Sequence, residues 1–597
     1  MKQNIKPEKT GYASVDKPWL EHYDYSLIRD EIPSQTIYSL AYDMNKNNLG
    51  NVALDVRMSK NDFKQGLKVT YRDLFNRSRL VARALKELGV KDDEIIPLIV
   101  PNVPEARYFI YGNSYLGSTS YPISPLMPAN DLERIIKENG IKNLVVFDAF
   151  YEKYKNVIES TNLNSVITLD GMESLPSYIK NIMRLKKKSN SLNDNVLSYD
   201  EFVRLDRNDS FSAKEYDPNH NAAIIGTSGT TGSSKGVCLS DKNINAVALA
   251  YYDGQLFEGT MLDALIPSIG YGISMVHYQT VSGKYVYLIP ELLTDKFPRA
   301  LEVLKPNNFP GGPVHYINLK ASNINLNKLP KYKNYISGGA SLPADVESSL
   351  NKVENGYVET SPNLDLVVRQ GYGLSENTAL GSYSKIGAYK FGSIGIPLPY
   401  ETVAIFEPNT DKELKYGERG EICITGAAMM REYLNNPEET DKVLMLHSDG
   451  KKWIHTKDIG YMDEDGNIFH VDRIKNIFMR KGFNVHPSKI ADFLDSIYFV
   501  KNSTVIGFDD PQEQAVPVAF IELDAKYLDR NIDELKDELK IACYESLEET
   551  SIPVDFVFVD MIPVNLGGKI DNNKIKNEAN INFSKSKNVP KTLKFMK

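Results

Sequence analysis

Cysteine is scarce in this chain of 597 residues, which contains only Cys238, Cys423 and Cys543. Their odd number and wide spacing indicate neither a disulfide framework nor a zinc site, and they favour a reducing compartment. Basic residues do not outnumber acidic ones either, since the formal net charge is −8. A nucleic-acid-binding protein normally carries a basic excess, so this charge argues against such a function.

Long apolar runs are also lacking. No stretch approaches the roughly 18–20 consecutive apolar residues that cross a bilayer. The N-terminal sequence "MKQNIKPEKTGYASVDKPWL" has no apolar centre of the kind found in secretory signal peptides. We therefore expect a cytoplasmic protein, and 42% hydrophobic with 25% charged residues is typical of a globular chain with several domains.

One basic segment, residues 178–188, has the character of a membrane-surface helix. Ile179, Ile182 and Met183 fall on one helical face among lysines and an arginine, and a basic amphipathic helix can bind an anionic membrane. The favoured interpretation is a solvated surface insertion, because runs of charge usually face water.

Residues 70–150 alternate between helix and strand signals. Thr70 and Asp73 form a pattern typical of a helix N-terminus, and the apolar run "IIPLIV" at 95–100 is typical of a buried parallel strand. Repetition of such units predicts a doubly wound sheet in an α/β fold. The alternation is interrupted at 160–200 and resumes from 221 to 345. At 390–470 short strands with glycine turns predict a small β subdomain.

The stretch Gly226–Val237, "GTSGTTGSSKGV", has almost no apolar side chain. It lies between a predicted strand, "NAAII", and a predicted helix, "SDKNINAVALAYY", for which Ser240 is the expected cap. Backbone N–H groups and hydroxyls in such a loop converge on an anion, and Lys235 adds a positive charge, so the loop predicts a polyphosphate site. The Walker A spacing does not fit. Composition alone is equally typical of a linker, although linkers seldom join a strand to a capped helix.

Together with six later motifs, this loop resembles the acyl-adenylate-forming (AMP-binding) enzymes, most of all the acyl-CoA synthetases. The later motifs are "SGGASLPADV" (337–346), "QGYGLSENT" (370–378), "GERGEICITG" (417–426), "WIHTKDIGYMDEDG" (453–466), "DRIKNIFMRKGFNVHPSKI" (472–490) and "GGKID" (567–571). One such motif is a weak signal, whereas seven in the family's order between residues 70 and 575 are specific.

The resemblance implies an α/β fold with two domains. A large N-terminal domain, residues 1–473, would hold stacked doubly wound sheets and the small β subdomain. A small mobile α+β domain, residues 474–597, would follow a hinge at Lys475 and end in a loose tail from 577. The implied reaction has two steps: a carboxylic acid and ATP with Mg²⁺ give an acyl-adenylate and pyrophosphate, and CoA then takes the acyl group and releases AMP.

The same resemblance assigns roles to individual residues. Glu376 is the implied Mg²⁺ ligand and a catalytic residue, and Lys235 is the catalytic lysine of the phosphate loop. Lys569 would be brought by the C-terminal domain to the carboxylate and the α-phosphate. Asp458 would grip both ribose hydroxyls with Arg473 beside it. The other implied cofactor-binding residues are Thr227, Ser228, Gly229, Thr230, Thr231, Gly232, Gly338, Gly339, Ala340, Gln370, Tyr372 (stacked on adenine), Gly373, Ser375 (touching the α-phosphate) and Gly482 (at the pantetheine channel).

Two residues depart from the family's pattern beside the ribose-binding pair. Lys457 stands where a glycine usually precedes the aspartate, and Asp472 stands where a glycine usually precedes the arginine. Both changes can alter the local geometry, while Asp458 and Arg473 themselves are retained.

The segment 265–279, "LIPSIGYGISMVHYQ", bears on the choice of acid because it has no carboxylate to pair with a substrate ammonium. Burying an unpaired ammonium is unfavourable, so an α-amino acid is disfavoured. The favoured function is ligation of a fatty or other hydrophobic acid to CoA. The alternative is an adenylating enzyme that loads a carrier protein, and a catalytically silent AMP-binding relative is a third hypothesis.

Overall fold

The computed structural model describes residues 9–64, 66–171, 195–207, 211–227, 235–291, 295–322, 324–352, 367–564, 570–585 and 592–593. The basic segment 178–188 lies outside the described residues, as do six of the predicted site residues, Ser228, Gly229, Thr230, Thr231, Gly232 and Lys569.

The strands are numbered along the chain. They are β1 Val52–Arg57, β2 Gly66–Thr70, β3 Ile95–Ile99, β4 Thr119–Pro122, β5 Asn143–Phe147, β6 Ser165–Leu169, β7 Val196–Ser198, β8 Asn221–Gly226, β9 Gly236–Ser240, β10 Met261–Asp263, β11 Val286–Leu288, β12 Asn308–Gly311, β13 Asn334–Ser337, β14 Val368–Tyr372, β15 Ser382–Tyr383, β16 Ile396–Pro397, β17 Glu401–Phe406, β18 Gly420–Gly426, β19 Glu432–Tyr433, β20 Leu444–Leu446, β21 Lys452–Met462, β22 Ile468–Arg473, β23 Phe478–Arg480, β24 Phe483–Val485, β25 Val500–Asp510, β26 Gln514–Leu523, β27 Asp555–Val559 and β28 Thr592–Leu593.

Helices alternate with most of these strands. The α-helices are Ala13–Asp16, Ile37–Asn45, Tyr71–Glu87, Pro104–Leu116, Ala129–Glu138, Asp148–Ser160, Tyr199–Val203, Asp241–Asp253, Gly270–Val281, Phe297–Leu304, Pro313–Ala321, Ala344–Asn351, Pro437–Val443, Pro487–Asp495, Ile532–Ser546 and Asn572–Lys585. Short 3-10 turns are Pro18–His22, Ser59–Asn61, Leu326–Lys328, Ser375–Asn377, Ala525–Tyr527 and Glu549–Ser551. Within the described parts of the chain, no helix combines the length and apolar character that crossing a bilayer requires.

Two large sheets carry most of the α/β alternation. The first has the order β19-β9-β8-β4-β3-β5-β6-β7 and is parallel from β8 to β7. The second has the order β16-β15-β14-β13-β12-β10-β11-β1-β2 and is parallel from β14 to β1. A shared apolar core with side chains from both sheets joins them. The predicted doubly wound α/β fold is therefore confirmed.

Smaller sheets follow. The order β17-β18-β21-β20, with β22 beside β21, forms an antiparallel sheet, in agreement with the glycine-rich strand pattern. After Arg473, β24-β23-β26-β27-β28, with β25 beside β26, forms a further sheet with its own apolar clusters. This last sheet and its helices make the smaller C-terminal α+β part of the chain.

Local signals were right at two helix starts and wrong at one loop. The Thr70 side chain accepts from the N–H of Asp73 and the Asp73 carboxylate accepts from Thr70, which confirms the capping pair. The glycine-rich loop, however, does not join a strand to a helix. Strand β9 follows it and pairs antiparallel with β8, so the two strands that flank the loop form a hairpin. The helix begins only at Asp241, after the Ser240 cap.

Candidate active site

A cavity of about 340 Å³ lies where the 3-10 turn Ser375–Asn377 faces strands β21 and β22. Its lining includes Glu376, Tyr433, Thr456, Lys457, Arg473 and Lys475. The charged groups are three cations and one carboxylate, which is the donor set expected for a polyphosphate that carries a hard metal ion.

Glu376 is held in this cavity from two directions. The Tyr433 hydroxyl donates a 2.6 Å hydrogen bond to Oε1 of Glu376, and the backbone carbonyl of Glu376 accepts from the N–H of Met430. The turn itself depends on Gly373, because a Cβ at that position would lie 1.4 Å from the Ala379 carbonyl oxygen. The glycine of the "YGLSE" motif thus permits the close backbone approach that presents Glu376.

Asp458 and Arg473 are neighbours across strands β21 and β22. Arg473 Nε donates to Oδ1 of Asp458 at 2.8 Å, and the Tyr372 hydroxyl donates to Oδ2 at 2.7 Å. His470 Nε2 lies 3.9 Å from Oδ1. Burial raises the pKa of this carboxyl, but the nearby His470 and the charge of Arg473 outweigh burial and lower the pKa of Asp458 to about 2. Asp458 is therefore a fixed negative charge with lone pairs left for further donors.

The described ends of the glycine-rich hairpin lie beside the same cavity. The Thr227 N–H donates to the Lys235 carbonyl at 2.8 Å and closes the hairpin. The Lys235 ammonium forms an ion pair with Glu439 and lies 5.0 Å from the centre of the Tyr433 ring. Tyr433 therefore bridges Lys235 and Glu376, the two predicted catalytic residues of the large domain.

Glycines bring the segment 265–279 against the Glu376 turn. A Cβ on Gly270 would lie 3.2 Å from Cα of Ser375, and one on Gly338 would lie 3.3 Å from the Tyr271 ring. Gly339, beside Ala340, has a φ of 87° in the left-handed region. These positions favour small residues, as expected where a backbone approaches a ligand closely.

One predicted residue has another partner in the structure. The Gln370 side chain donates to Oε2 of Glu347 at 2.7 Å, and Tyr389 donates to Oε1 of the same carboxyl. Burial raises the pKa of Glu347 to about 7, against the effect of these hydrogen bonds. Gln370 thus supports a buried carboxyl, and a direct contact between its side chain and nucleotide stays a prediction.

The C-terminal part of the chain contains two predicted residues, Gly482 and Lys569, of which the structure describes Gly482. Gly482 has a φ of 83° in the turn between β23 and β24, and its N–H donates to the Gln514 side chain at 2.8 Å. Lys569 lies outside the described residues. The described residues that flank it, Val564 and Ile570, form an antiparallel bridge, and the Asp571 N–H donates to the Pro563 carbonyl.

Sequence reasoning missed several residues that hold the site together. They are Tyr433 at Glu376, Glu439 at Lys235, and His470 at Asp458. No pattern marks them, because each lies on a different element from its partner and the contact exists only in the folded chain.

The family is shown by comparison with known proteins. The "AMP-binding enzyme" family model matches residues 45–434, and the model of the "AMP-binding enzyme C-terminal domain" matches residues 489–569. A long-chain-fatty-acid–CoA ligase of Bacillus subtilis (strain 168) is 26% identical over 95% of this chain and 99% of its own length. A probable 4-coumarate–CoA ligase 1 of Dictyostelium discoideum is 30% identical over 74% of this chain and 78% of its own length.

Solved structures share the fold. An anthranilate CoA ligase, AuaEII, in complex with anthranoyl-AMP has a TM-score of 0.77 and 19% identity, covering 92% of this chain and 99% of that one. ATP-bound MatB from Rhodopseudomonas palustris has a TM-score of 0.73 and 21% identity, covering 90% and 98%. The motif order, the cavity and the family-model matches agree, and this chain belongs to the AMP-binding enzyme family.

Proposed function

We propose that this chain is an ATP-dependent carboxylic acid:CoA ligase that acts on a fatty or other hydrophobic acid. The observation that carries the proposal is the cavity in which Glu376 faces Arg473 and Lys475. The curated relatives described above are CoA ligases, and one of them matches nearly the whole chain. ATP and CoA are accordingly the proposed co-substrates, with Mg²⁺ bound to ATP.

The chain's own residues would neutralise the charge that gathers when a carboxylate meets ATP. Glu376 is the proposed ligand of Mg²⁺, which would offset phosphate charge. Lys235 and the loop Thr227–Gly232 would hold the β- and γ-phosphates. Asp458 and Arg473 would fix the ribose, and Lys569 would stabilise the negative charge that develops at the α-phosphate. Removal of one such electrostatic group typically lowers the rate by about 10²–10³-fold.

The acid is proposed to be apolar because the segment beside the Glu376 turn carries no free carboxylate. From Gly270 onwards this segment is a buried helix. Asp263, which precedes it, is already paired with Arg107 at 2.8 Å. Burial lowers the pKa of the nearby His315 to about 4, so this side chain is neutral at physiological pH and offers no charge to a substrate.

The proposed domain arrangement follows the sheets. The sheet built from β23 to β28 begins after Arg473, which supports a boundary at 473/474 and a hinge at Lys475. Gly482 and its hairpin are the proposed wall of the pantetheine channel.

We also propose a cytoplasmic location, supported by three cysteines that are all buried and unpaired.

A panel of acids tests the function. AMP release would be measured for fatty acids of several lengths and for hydroxycinnamic and benzoic acids, each with and without CoA. We expect CoA-dependent AMP release for at least one hydrophobic acid, and loss of that release in Glu376→Ala. Thioester that forms only on a phosphopantetheinylated carrier would favour the carrier-loading alternative. Absence of acid-dependent pyrophosphate exchange would favour a silent relative.

Lys569→Ala separates the two steps. We expect it to abolish formation of the acyl-adenylate while sparing thioester formation from supplied acyl-adenylate and CoA. Lys574→Ala, at an exposed lysine of the adjacent helix, is the matched control and should retain both steps. Equal loss of both steps in Lys569→Ala would contradict the proposed role.

A further inference from the structure

The strand that carries Asp458 contains a bulge immediately before it. Between β18 and β21, Glu421 pairs with Ile459 and Cys423 pairs with His455, so three residues of β21 oppose one of β18. The central residue of the three, Lys457, has a φ of 61°. This left-handed conformation is sparsely populated by residues other than glycine, and it persists only where the surroundings hold it. A bulge next to a binding site redirects the side chain that follows it.

The side chain of Glu421 supplies the hydrogen-bond acceptor for the backbone N–H of Lys457 at the bulge. Its carboxylate is fully buried, and Oε1 accepts the backbone N–H of Lys457 at 2.9 Å. Oε2 accepts the backbone N–H of Asn409 at 3.1 Å, and Asn409 is also left-handed, with a φ of 60°. The Lys457 ammonium donates to Oδ1 of Asn409 at 2.6 Å and lies 3.7 Å from Oε1 of Glu421. The three residues form a closed ring around the bulge.

Two histidines fix the orientation of Glu421. His455 Nδ1 lies 2.9 Å from Oε2 of Glu421, and His455 Nε2 lies 2.9 Å from Nε2 of His447. An ionised Glu421 requires the proton on Nδ1 of His455, so Nε2 accepts from His447 when both rings are neutral. The carboxylate is thus fixed by three donors from different parts of the subdomain.

The same atoms could be considered as a metal site, since donor atoms of Glu421, Cys423 and His455 lie within 4.8 Å of one another. Three features oppose a metal. Both carboxylate oxygens already accept backbone N–H groups, and the Lys457 ammonium adds a positive charge nearby. Burial raises the pKa of the Cys423 thiol well above its ordinary value, which disfavours the thiolate that would bind a metal. The cluster is better explained by hydrogen bonds.

The bulge is directly linked to the predicted ribose-binding group. Asp458 follows Lys457, and its N–H donates to Oγ1 of Thr456, whose hydroxyl donates to the Ile422 carbonyl. On the other side of the bulge, the Ile474 N–H donates to the Lys457 carbonyl. We propose that Glu421 is a positioning residue for ribose recognition, which holds the left-handed turn at Lys457 and thereby aims Asp458 at the nucleotide.

This inference rests on the proposed function, because it assumes that Asp458 binds the ribose. The test therefore measures ribose recognition directly, by calorimetric titration of the full chain with AMP, 2′-deoxy-AMP and 3′-deoxy-AMP. The readout is the ratio of Kd values for each deoxy analogue and AMP. We expect the wild type to prefer AMP, and Glu421→Gln to reduce that preference by about tenfold, the effect of weakening one hydrogen bond to a charged group.

A glycine at position 457 gives the sharpest check. Glycine adopts positive φ without strain, so Lys457→Gly combined with Glu421→Gln should recover much of the lost preference for AMP. A general packing defect caused by Glu421→Gln would not be repaired by that second change. In an Asp458→Ala background, Glu421→Gln should have no further effect on the ratio. Glu407→Gln, an exposed glutamate after β17 that pairs with Lys412, is the matched control and should leave the ratio unchanged.

The outcomes separate the two hypotheses. A wild type that binds AMP no better than its deoxy analogues would contradict the assumed role of Asp458 and the proposed nucleotide site. If the wild type prefers AMP over its deoxy analogues and Glu421→Gln shows the same preference, only the positioning role of Glu421 is overturned. Stoichiometric zinc in the purified protein, lost in Cys423→Ser, would also overturn it, in favour of a metal site.

Discussion

The Tyr433 hydroxyl donates a 2.6 Å hydrogen bond to Oε1 of Glu376, although 57 positions separate the two residues. Tyr433 lies on β19, an edge strand that pairs with β9, the second strand of the glycine-rich hairpin. The contact therefore connects the proposed metal ligand to the proposed phosphate loop. Burial, together with the nearby Glu376 charge, raises the pKa of Tyr433, so its hydroxyl remains a donor at every physiological pH.

Tyr433→Phe should weaken the response to Mg²⁺. The phenylalanine ring preserves the packing and the contact with Lys235 but removes the donor that orients Glu376. A hydrogen bond to a charged group contributes about 1.5–3 kcal/mol, so the Mg²⁺ concentration for half-maximal pyrophosphate exchange should rise about tenfold or more. Tyr25→Phe, at an exposed tyrosine, is the control. An unchanged Mg²⁺ dependence in Tyr433→Phe would show that Glu376 does not depend on this bond.

Glu439→Gln should strengthen binding of ATP or pyrophosphate. Glu439 pairs with Lys235 through one oxygen and with Lys442 at 2.6 Å through the other. These two ammonium groups lower the pKa of Glu439 to about 2, so it is charged and competes with phosphate for Lys235. The pair is partly exposed, and such pairs contribute at most about 1 kcal/mol.

The KM for ATP should therefore fall by no more than about fivefold. Glu438→Gln, at the neighbouring acid of the same helix, controls for the change in net charge. If the KM falls equally in both variants, the effect is a general one of charge and the specific pairing with Lys235 is not limiting.

Asp458→Asn should reduce the affinity for ATP without changing the fold. The amide keeps the size of the side chain but loses the charge that pairs with Arg473 and accepts hydrogen bonds from two donors. Loss of one or two charged hydrogen bonds should raise the KM for ATP by about 10- to 100-fold. The KM for the acid is the internal control and should change little.

The pH dependence of the same residue provides a second measurement. The pKa of Asp458 is about 2 in the folded chain and 3.8 in its ordinary state. Its charge therefore stabilises the fold above pH 3.8, and this contribution is lost as the pH falls towards 2. Between pH 5 and 8 Asp458 stays ionised, so it should add no pH dependence to the KM for ATP. The KM of the wild type and that of Asp458→Asn should therefore vary with pH in the same way over this range.

Much of this site could be predicted from sequence motifs, because residues such as Glu376, Asp458 and Arg473 stand at fixed places in them. The hairpin that contains Lys235 was not predicted. Its second strand, "GVCLS", is short and directly precedes a helix. Its pattern of apolar residues is too short to be recognised as a strand, so it was assigned to the loop. Supporting contacts such as that between Tyr433 and Glu376 could not be inferred from the sequence either, because they depend on the pairing of β19 with β9.

Lys457 illustrates the same limit in another way. The sequence showed a lysine in place of the usual glycine, a change that can alter the backbone geometry, but it did not show which conformation the lysine adopts. The structure shows a left-handed turn at Lys457 and shows that Glu421 and Asn409 bind the lysine. Strand register and bulges arise from the packing of both strands, so they cannot be inferred from one residue.

Glu401→Gln should remove part of the pH dependence of stability. Glu401 begins β17, is 6% exposed, and accepts the Ala428 N–H at 3.2 Å. Burial raises the pKa of Glu401 to about 8 from an ordinary 4.5, although the hydrogen bond from the Ala428 N–H opposes the rise. Between these values the folded chain keeps a proton that the unfolded chain releases, so stability falls as the pH rises from 4.5 towards 8.

The size of this effect is on the order of a few kcal/mol between pH 5 and 8. Asn377, the last residue of the Glu376 turn, also influences the pKa of Glu401, so ionisation of Glu401 would disturb the base of the candidate site as well. Scanning calorimetry at pH 6 and pH 9 measures the fall in Tm for the wild type and the variant. The fall should be smaller in Glu401→Gln by several degrees, while Glu407→Gln behaves like the wild type. An equal fall in all three proteins would mean that Glu401 is already ionised at pH 6 and that its burial is compensated by donors around it.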